Sequence, residues 1–345
     1  MTGNNAPFRT FIMAHPRLVE DVFTDAHLAR LRALGDVVIH EGDVLSDEDF
    51  ERHVAPADVA MGIFDMPAER LARCGNLKAF VNSEGNFLPN IDYRHCFEHG
   101  IRVLSASHVF AEPVAEIGLA MAIDLGRGIT EADRLMREGK ESYGFAANRN
   151  ALPLMRARVG LIGFGDLARA LLPLLRPFTS TIDVYDPWVP GLLIEQAGCR
   201  SVSLDALLAE SDFVFVLAGV TSDNAGFLDR RAFALMKQGA CLLLLSRAAV
   251  ANFPDMLEAA ASGRIRVATD VFPIEPVAAD DPVRRTPNII LSPHQAGAME
   301  STLGAMGASI TADIELIARG LPPAVCKVAQ PETAVRFRSM PVSKS

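Results

Sequence analysis

The chain has 345 residues, half of them hydrophobic, and carries a formal charge of −9 at pH 7. That length holds two domains, each with a core of its own, and the acidic balance excludes a general nucleic-acid or anionic-membrane surface. An anionic small molecule would need a local cationic site.

The opening MTGNNAPFRTF lacks the basic stretch and apolar core of a secretory leader, and no uncharged apolar run reaches the roughly 20 residues that span a bilayer. Residues 9–14 read as a strand, followed by one amphipathic helix carrying Val19, Val22, Phe23, Leu28, Leu31 and Leu34 and stopped at Gly35. Strands follow at 37–39, 58–64, 77–81 and 101–104, with helices near 67–74 and 89–99, which implies a small parallel sheet wrapped by helices. Asn82-Ser83-Glu84-Gly85-Asn86 makes a polar loop at the carboxyl end of the fourth strand, the usual place for a ligand in an open α/β sheet; a plain connection fits the same residues. Residues 113–140 read as one long helix with Val114, Ile117, Met121, Leu125, Ile129 and Leu135 on one side, suited to bridge domains or to meet another subunit, while burial in the core accounts for the same face equally well.

The stretch 159–186, VGLIGFGDLARALLPLLRPFTSTIDVYD, reads as strand, turn, helix and second strand. Gly163, Gly165 and Ala168 form G-x-G-x-x-A directly after the apolar run 159–162. The first glycine permits the tight turn, the second lets a pyrophosphate approach the backbone, and the small third residue lets helix pack on strand. N–H groups at the helix start then face the phosphates. Leu167, Leu171, Leu174, Leu175 and Phe178 give this helix an apolar face, and Pro173 is expected to kink or split it. Asp186 ends the second strand about 20 residues past the glycines, where a carboxylate accepts the adenosine ribose hydroxyls and repels a 2′-phosphate. The cofactor expected is therefore NAD rather than NADP.

Strands continue at 213–217, 240–245, 265–269 and 288–291, then a last apolar-striped helix at 300–319 and, beyond Pro322 and Pro323, an extended or loosely ordered tail. Because the fingerprint begins after residue 151, the first sheet belongs to a separate domain. The expected limits are 1–111 for a substrate domain, completed by the returning C-terminal helix at 299–330, 112–298 for the dinucleotide-binding domain, and 331–345 for a tail. The five cysteines, Cys74, Cys96, Cys199, Cys241 and Cys326, are scattered and without metal-ligand spacing, which suggests reduced thiols in a cytoplasmic protein and no metal site.

Three polar residues follow consecutive apolar strands of the second domain: Arg247, Glu275 and His294. Singly each reads as an ordinary loop residue; together they fall on the sheet edge where the cofactor would bind. Hydride removal from an alcohol needs a base for the hydroxyl proton, and a 2-hydroxy acid also needs a cation for its carboxylate. Imidazole suits such a base, so His294 is its candidate, Glu275 would favour its protonated form, and Arg247 can grip carboxylate and carbonyl oxygens together.

In order and spacing, GFGDLARAL, VYDP, SDFVFVLAGVTSDNAGFL, ALMKQGACLLLLSRAAV, SGRIRVATDVFPIEP and NIILSPHQAG resemble the D-isomer-specific 2-hydroxyacid dehydrogenases across residues 55–320. The resemblance implies an α/β protein of two domains, a Rossmann-type dinucleotide-binding domain and a smaller flavodoxin-like substrate domain made of both chain ends. Both would have parallel sheets, with the active site in the cleft and homodimerisation through the cofactor domain. It implies that Arg247 binds a 2-hydroxy or 2-keto acid, that Glu275 and His294 form the acid/base pair, and that Asp270 lies near the nicotinamide. It further implies that Asp166 and Leu167 contact the pyrophosphate, that Gly219 and Ser246 line the cofactor, and that Ser83, Glu84 and Gly85 offer backbone N–H groups to the substrate carboxylate. Glu116 and Arg127 match the pattern of the family's interdomain helix.

The chain also departs from the family pattern. Ser246-Arg247-Ala248-Ala249 replaces the usual Ala-Arg-Gly-Gly, Asn252 the common Asp, Ala218-Gly219-Val220-Thr221 the common Leu-Pro-Leu-Thr, and Leu244 a frequent polar residue. Glu84 and Asn86 stand where many relatives carry small or apolar residues, a pattern that suits a polyhydroxylated, sugar-derived acid; a solvent-facing Glu84 fits the same residues. An NAD(H)-sensing binding protein, like the related corepressors, would keep the same three polar residues, but no long recruitment arm is visible here. Formate dehydrogenases carry Gln at the position of Glu275, and a phosphorylated substrate finds no obvious basic cluster near Ser83 in the sequence.

Overall fold

Short apolar runs, most of them buried on both faces, make the strands, as befits parallel sheets covered by helices. A computed structural model describes residues 7–83 and 86–338. It divides the chain into two units: residues up to Phe110 together with those from Ala298, and Ala111–Gly297. The first unit contains β1 (Phe8–Ile12), β2 (Gly35–Ile39), β3 (Val59–Gly62), β4 (Ala79–Asn82) and β5 (Arg102–Ser105). The second contains β6 (Val159–Ile162), β7 (Ile182–Tyr185), β8 (Arg200–Ser201), β9 (Phe213–Val216), β10 (Ala240–Leu244), β11 (Ile265–Thr269) and β12 (Ile289–Leu291). The chain returns to the first unit through the helix Glu300–Ala318 and β13 (Lys327–Val328).

The order β13-β5-β4-β3-β1-β2 is flavodoxin-like wiring with an added edge strand, and β12-β11-β10-β9-β6-β7-β8 is the doubly wound Rossmann order with one strand more. Each sheet reverses its order once, between β1 and β3 and between β6 and β9, which opens a crevice at the carboxyl ends of those strands. Alternate side chains divide between the faces. Phe11, Phe64 and Phe80 pack on one side of the first sheet, Ile12, Val81 and Ile314 on the other; Phe213 and Leu243 oppose Val214 and Leu242 in the second. Among the described residues, no helix is long and apolar enough to cross a membrane.

Local signals overrule the apolar stripes at several points. The segment expected as one helix after β1 is two, Val19–Val22 and Asp25–Leu34. Thr24 caps the second: its hydroxyl accepts the His27 N–H and His27 Nδ1 accepts the Thr24 N–H, both at 3.3 Å, so a capping box interrupts the stripe. Residues 113–140 do not form one long helix either. Ala111–Arg127 and Ile129–Glu138 are separated by Gly128, whose φ of +66° is left-handed. Pro173, in contrast, stays inside the continuous helix Asp166–Leu175 without splitting it: it falls in the last turn, where few residues remain beyond the hydrogen bond it removes.

The C-terminal segment is also better ordered than its prolines suggest. β13 pairs antiparallel with β5, so the first sheet is mixed rather than wholly parallel. Buried Asp313 accepts the N–H groups of Ala324, Val325 and Cys326 at 2.7, 3.0 and 2.7 Å. A short helix, Pro331–Ala334, follows, and Phe337 packs on Phe87. The tail from residue 339 lies outside the described residues.

Candidate active site

The turn after β6 is dictated by its glycines. Gly163 has φ +91°, and a Cβ there would lie 2.8 Å from both N and Cα of Ala218, so only glycine fits. Gly165 caps the helix Asp166–Leu175, no side chain closes that end, and a Cβ built on Gly165 would meet nothing within 4 Å. Asp166 and Leu167 form the first turn of that helix. Asp186, at the end of β7, ties the turn in place: one carboxylate oxygen accepts the Phe164 N–H at 2.7 Å, the other the Trp188 and Val189 N–H groups at 2.8 and 3.0 Å. Carboxylate oxygens hold more than one lone pair each, so this anchoring is compatible with ribose hydroxyls as further donors.

Asn224, which sequence reasoning overlooked, closes the turn at Gly219. Its Nδ2 donates to the Gly219 carbonyl at 2.8 Å, and its Oδ1 accepts the Thr221 N–H at 2.7 Å.

The ends of β10, β11 and β12 bring Arg247, Glu275 and His294 to one edge of the second sheet. His294 Nδ1 lies 2.6 Å from Glu275 Oε2, and Glu275 Oε1 accepts the Phe272 N–H at 2.9 Å. With Nδ1–H donating to the carboxylate, Nε2 is the nitrogen left for a substrate, and the His294 side chain keeps 29% of its surface exposed. Burial pushes the Glu275 carboxyl up, but the hydrogen bonds from His294 and Phe272, with the charges of His294 and Arg247, outweigh it and hold the group below its ordinary value. Arg247 Nη1 donates to the Ser246 carbonyl at 2.8 Å. The Ser246 hydroxyl beside it is buried with no hydrogen-bond partner among the described residues.

His294 occupies a left-handed backbone conformation, φ +50°, which costs about 1–2 kcal/mol in a non-glycine residue. Asp270, at the end of β11, over-determines that loop. It accepts the Ser292 hydroxyl and, at 3.1 Å each, the Gln295 and Ala296 N–H groups on either side of its carboxylate. Burial raises the Asp270 carboxyl, and these hydrogen bonds offset the rise only in part. The geometry gives Asp270 the work of holding the His294 loop.

In the first unit, Ser83 is buried at the end of β4. Its carbonyl accepts from Arg17 Nη1 and its hydroxyl donates to the His15 carbonyl at 3.5 Å. The sequence shows no basic cluster near this loop, but Arg17, 66 residues away in the chain, reaches it in the fold. Glu84 and Gly85 lie outside the described residues.

An open helix start above a glycine turn, an acid at the end of the next strand and an orphaned serine hydroxyl on the same sheet edge fit a dinucleotide. Comparison with known proteins agrees. The profile of the D-isomer specific 2-hydroxyacid dehydrogenase NAD-binding domain matches residues 119–296. The crystal structure of a phosphoglycerate oxidoreductase from Rhizobium etli is similar with a TM-score of 0.83 and 39% identity, covering 95% of this chain and 99% of that one. D-3-phosphoglycerate dehydrogenase of Archaeoglobus fulgidus is 29% identical over 257 residues, 74% of this chain and 48% of its own length. Glyoxylate reductase of Korarchaeum cryptofilum is 29% identical over 243 residues, 68% of this chain and 71% of its own. The chain thus spans about half the length of the curated phosphoglycerate dehydrogenases it matches. It belongs to the D-isomer specific 2-hydroxyacid dehydrogenases. Its second unit carries the family's NAD-binding domain, and its cofactor is NAD.

Proposed function

We propose that the protein is an NAD-dependent oxidoreductase interconverting a D-2-hydroxy acid and its 2-keto acid. The observation that carries this reading is the 2.6 Å contact between His294 and Glu275 on the sheet edge that also presents Arg247. NAD, when bound, accepts hydride in oxidation and returns it in reduction. In oxidation, His294 Nε2 takes the hydroxyl proton while Nδ1–H stays on Glu275, whose negative charge favours the imidazolium that forms. Arg247 grips the carboxylate, and in reduction it shares with His294 the charge growing on the carbonyl oxygen. Ser83, Glu84 and Gly85 are assigned to the substrate carboxylate. Gly163, Gly165, Asp166, Leu167, Asp186, Gly219 and Ser246 are assigned to the cofactor, with Asp270 beneath the histidine loop.

A homodimer is part of the same reading. A groove lined by Ile123, Arg127, Ile129, Ala132, Asp133 and Met136 lies on the second unit, and Tyr143, Phe145 and Met155 farther along that segment are exposed. Exposed apolar residues of this kind support an interface reading, and we assign a second copy of the chain to it. Five free, buried thiols suit a reducing cytoplasm.

The test is oxidation of NADH, with NADPH in parallel, against a panel of 2-keto acids: glyoxylate, hydroxypyruvate, a phosphorylated analogue and sugar-derived acids. Wild type is expected to turn over at least one, and His294→Ala to lower kcat by about 10²–10⁴-fold. NADH binding without turnover of any acid would overturn the enzymatic reading in favour of an NAD(H) sensor.

A further inference from the structure

Strand order sets the carboxyl ends of β1, β3, β4 and β5 along one edge of the first sheet. The turn that leaves β1 closes on itself, the Arg17 N–H donating to the Ala14 carbonyl at 3.0 Å. It thereby holds Ser83 at two points, the carbonyl through Arg17 Nη1 and the hydroxyl through the His15 carbonyl. The same guanidinium sits 5.8 Å from the ring centroid of Phe110, in the turn that follows β5. One side chain thus joins three turns of a single sheet edge. Fixing a carbonyl fixes the plane of its peptide, so Arg17 acts on the start of the segment assigned above to the substrate carboxylate. It also brings a positive charge to an edge where the ligand is an anion, in a chain whose net charge is −9.

We propose that Arg17 is a positioning residue for substrate: it anchors Ser83 and sets the affinity for the 2-keto acid carboxylate while taking no part in proton transfer. The proposal rests on the dehydrogenase reading of the site. Arginine suits this work because its planar fork can meet a carbonyl and a ring face while keeping its charge; lysine keeps the charge alone.

The experiment compares wild type, Arg17→Lys and Arg17→Met for keto-acid KM, kcat at saturation, NADH Kd and thermal midpoint. Arg17→Met is expected to raise KM by about 10- to 100-fold, as the carboxylate meets a loop no longer held in place and without the nearby positive charge, with kcat and NADH Kd little changed. Arg17→Lys should fall between. An unchanged KM in Arg17→Met, or a loss confined to thermal midpoint and NADH binding, overturns the proposal. Should wild type turn over no acid, the dehydrogenase reading fails separately. Calorimetric titration of oxamate into the NADH-loaded protein then reads the same affinity: weaker binding by Arg17→Met sustains the proposal, and equal binding overturns it.

Discussion

The two sheets share one design and differ at its lip. Each reverses strand order once, at β1/β3 and at β6/β9. After β6 the chain runs through Gly163 and Gly165 straight into a ten-residue helix, whereas after β1 it runs through His15, Pro16 and Arg17 into a helix of four. The first arrangement offers backbone N–H groups to an anion; the second offers a guanidinium and a carbonyl clamp. Topology supplies the crevice in both cases, and a few residues at its edge decide what the crevice can hold.

Substitutions at the two glycines are the strongest way to break that comparison. At Gly163 an added methyl meets both the left-handed φ and the backbone of Ala218 at 2.8 Å. Gly163→Ala should therefore cost about 2–5 kcal/mol of stability and abolish NADH binding. Gly165→Ala meets no protein atom within 4 Å, so it should keep wild-type stability and weaken NADH alone. Urea denaturation and a fluorescence titration of NADH separate the two effects. Equal stability losses at both positions would mean that the turn is not built as described.

Asp270→Asn comes next in size and probes the other lip of the second sheet, where the histidine stands. Asparagine offers one acceptor oxygen where three donors converge, so buried donors lose their partner at about 1–3 kcal/mol. The loop that forces His294 to φ +50° then loosens; kcat should fall while NADH affinity holds. Its pH dependence is distinctive. Burial raises the Asp270 carboxyl above its ordinary value, so the folded protein binds that proton more tightly than the unfolded chain. The associated stability is present in full at acid pH and is lost as pH rises through the folded value. Asparagine does not titrate, so wild type minus variant should be largest at acid pH and narrow upward. A gap that widens with rising pH would contradict the assignment.

What was legible in the sequence was local. The strand, glycine turn, helix, strand and acid of the cofactor fold all lie within residues 159–186, and the alternation of strands with helices announced two α/β units. What escaped was made by contacts between distant residues. Arg17 reaches Ser83 across 66 positions, and Asp313 anchors a segment whose prolines suggested looseness. Asn224 closes the Gly219 turn from within a loop that has no periodicity to read. The helix errors have a different origin. Thr24 and Gly128 are legible breaking signals, but the apolar stripe runs on across both and masks the cap and the glycine that interrupt it.

Gly128 also supplies the smallest and cleanest test, because it isolates the backbone part of the Gly163 effect. Both glycines are left-handed, at φ +66° and +91°, yet a Cβ on Gly128 meets nothing within 4 Å. Gly128→Ala therefore pays for conformation alone, about 1–2 kcal/mol, and should leave kcat, KM and NADH affinity at wild-type values. The excess of Gly163→Ala over Gly128→Ala then measures the contact with Ala218, that is, how closely the glycine turn must approach the loop after β9. If the two substitutions shift the urea midpoint equally, that approach carries no energy, and the first glycine serves the turn by its dihedral angle rather than by its size.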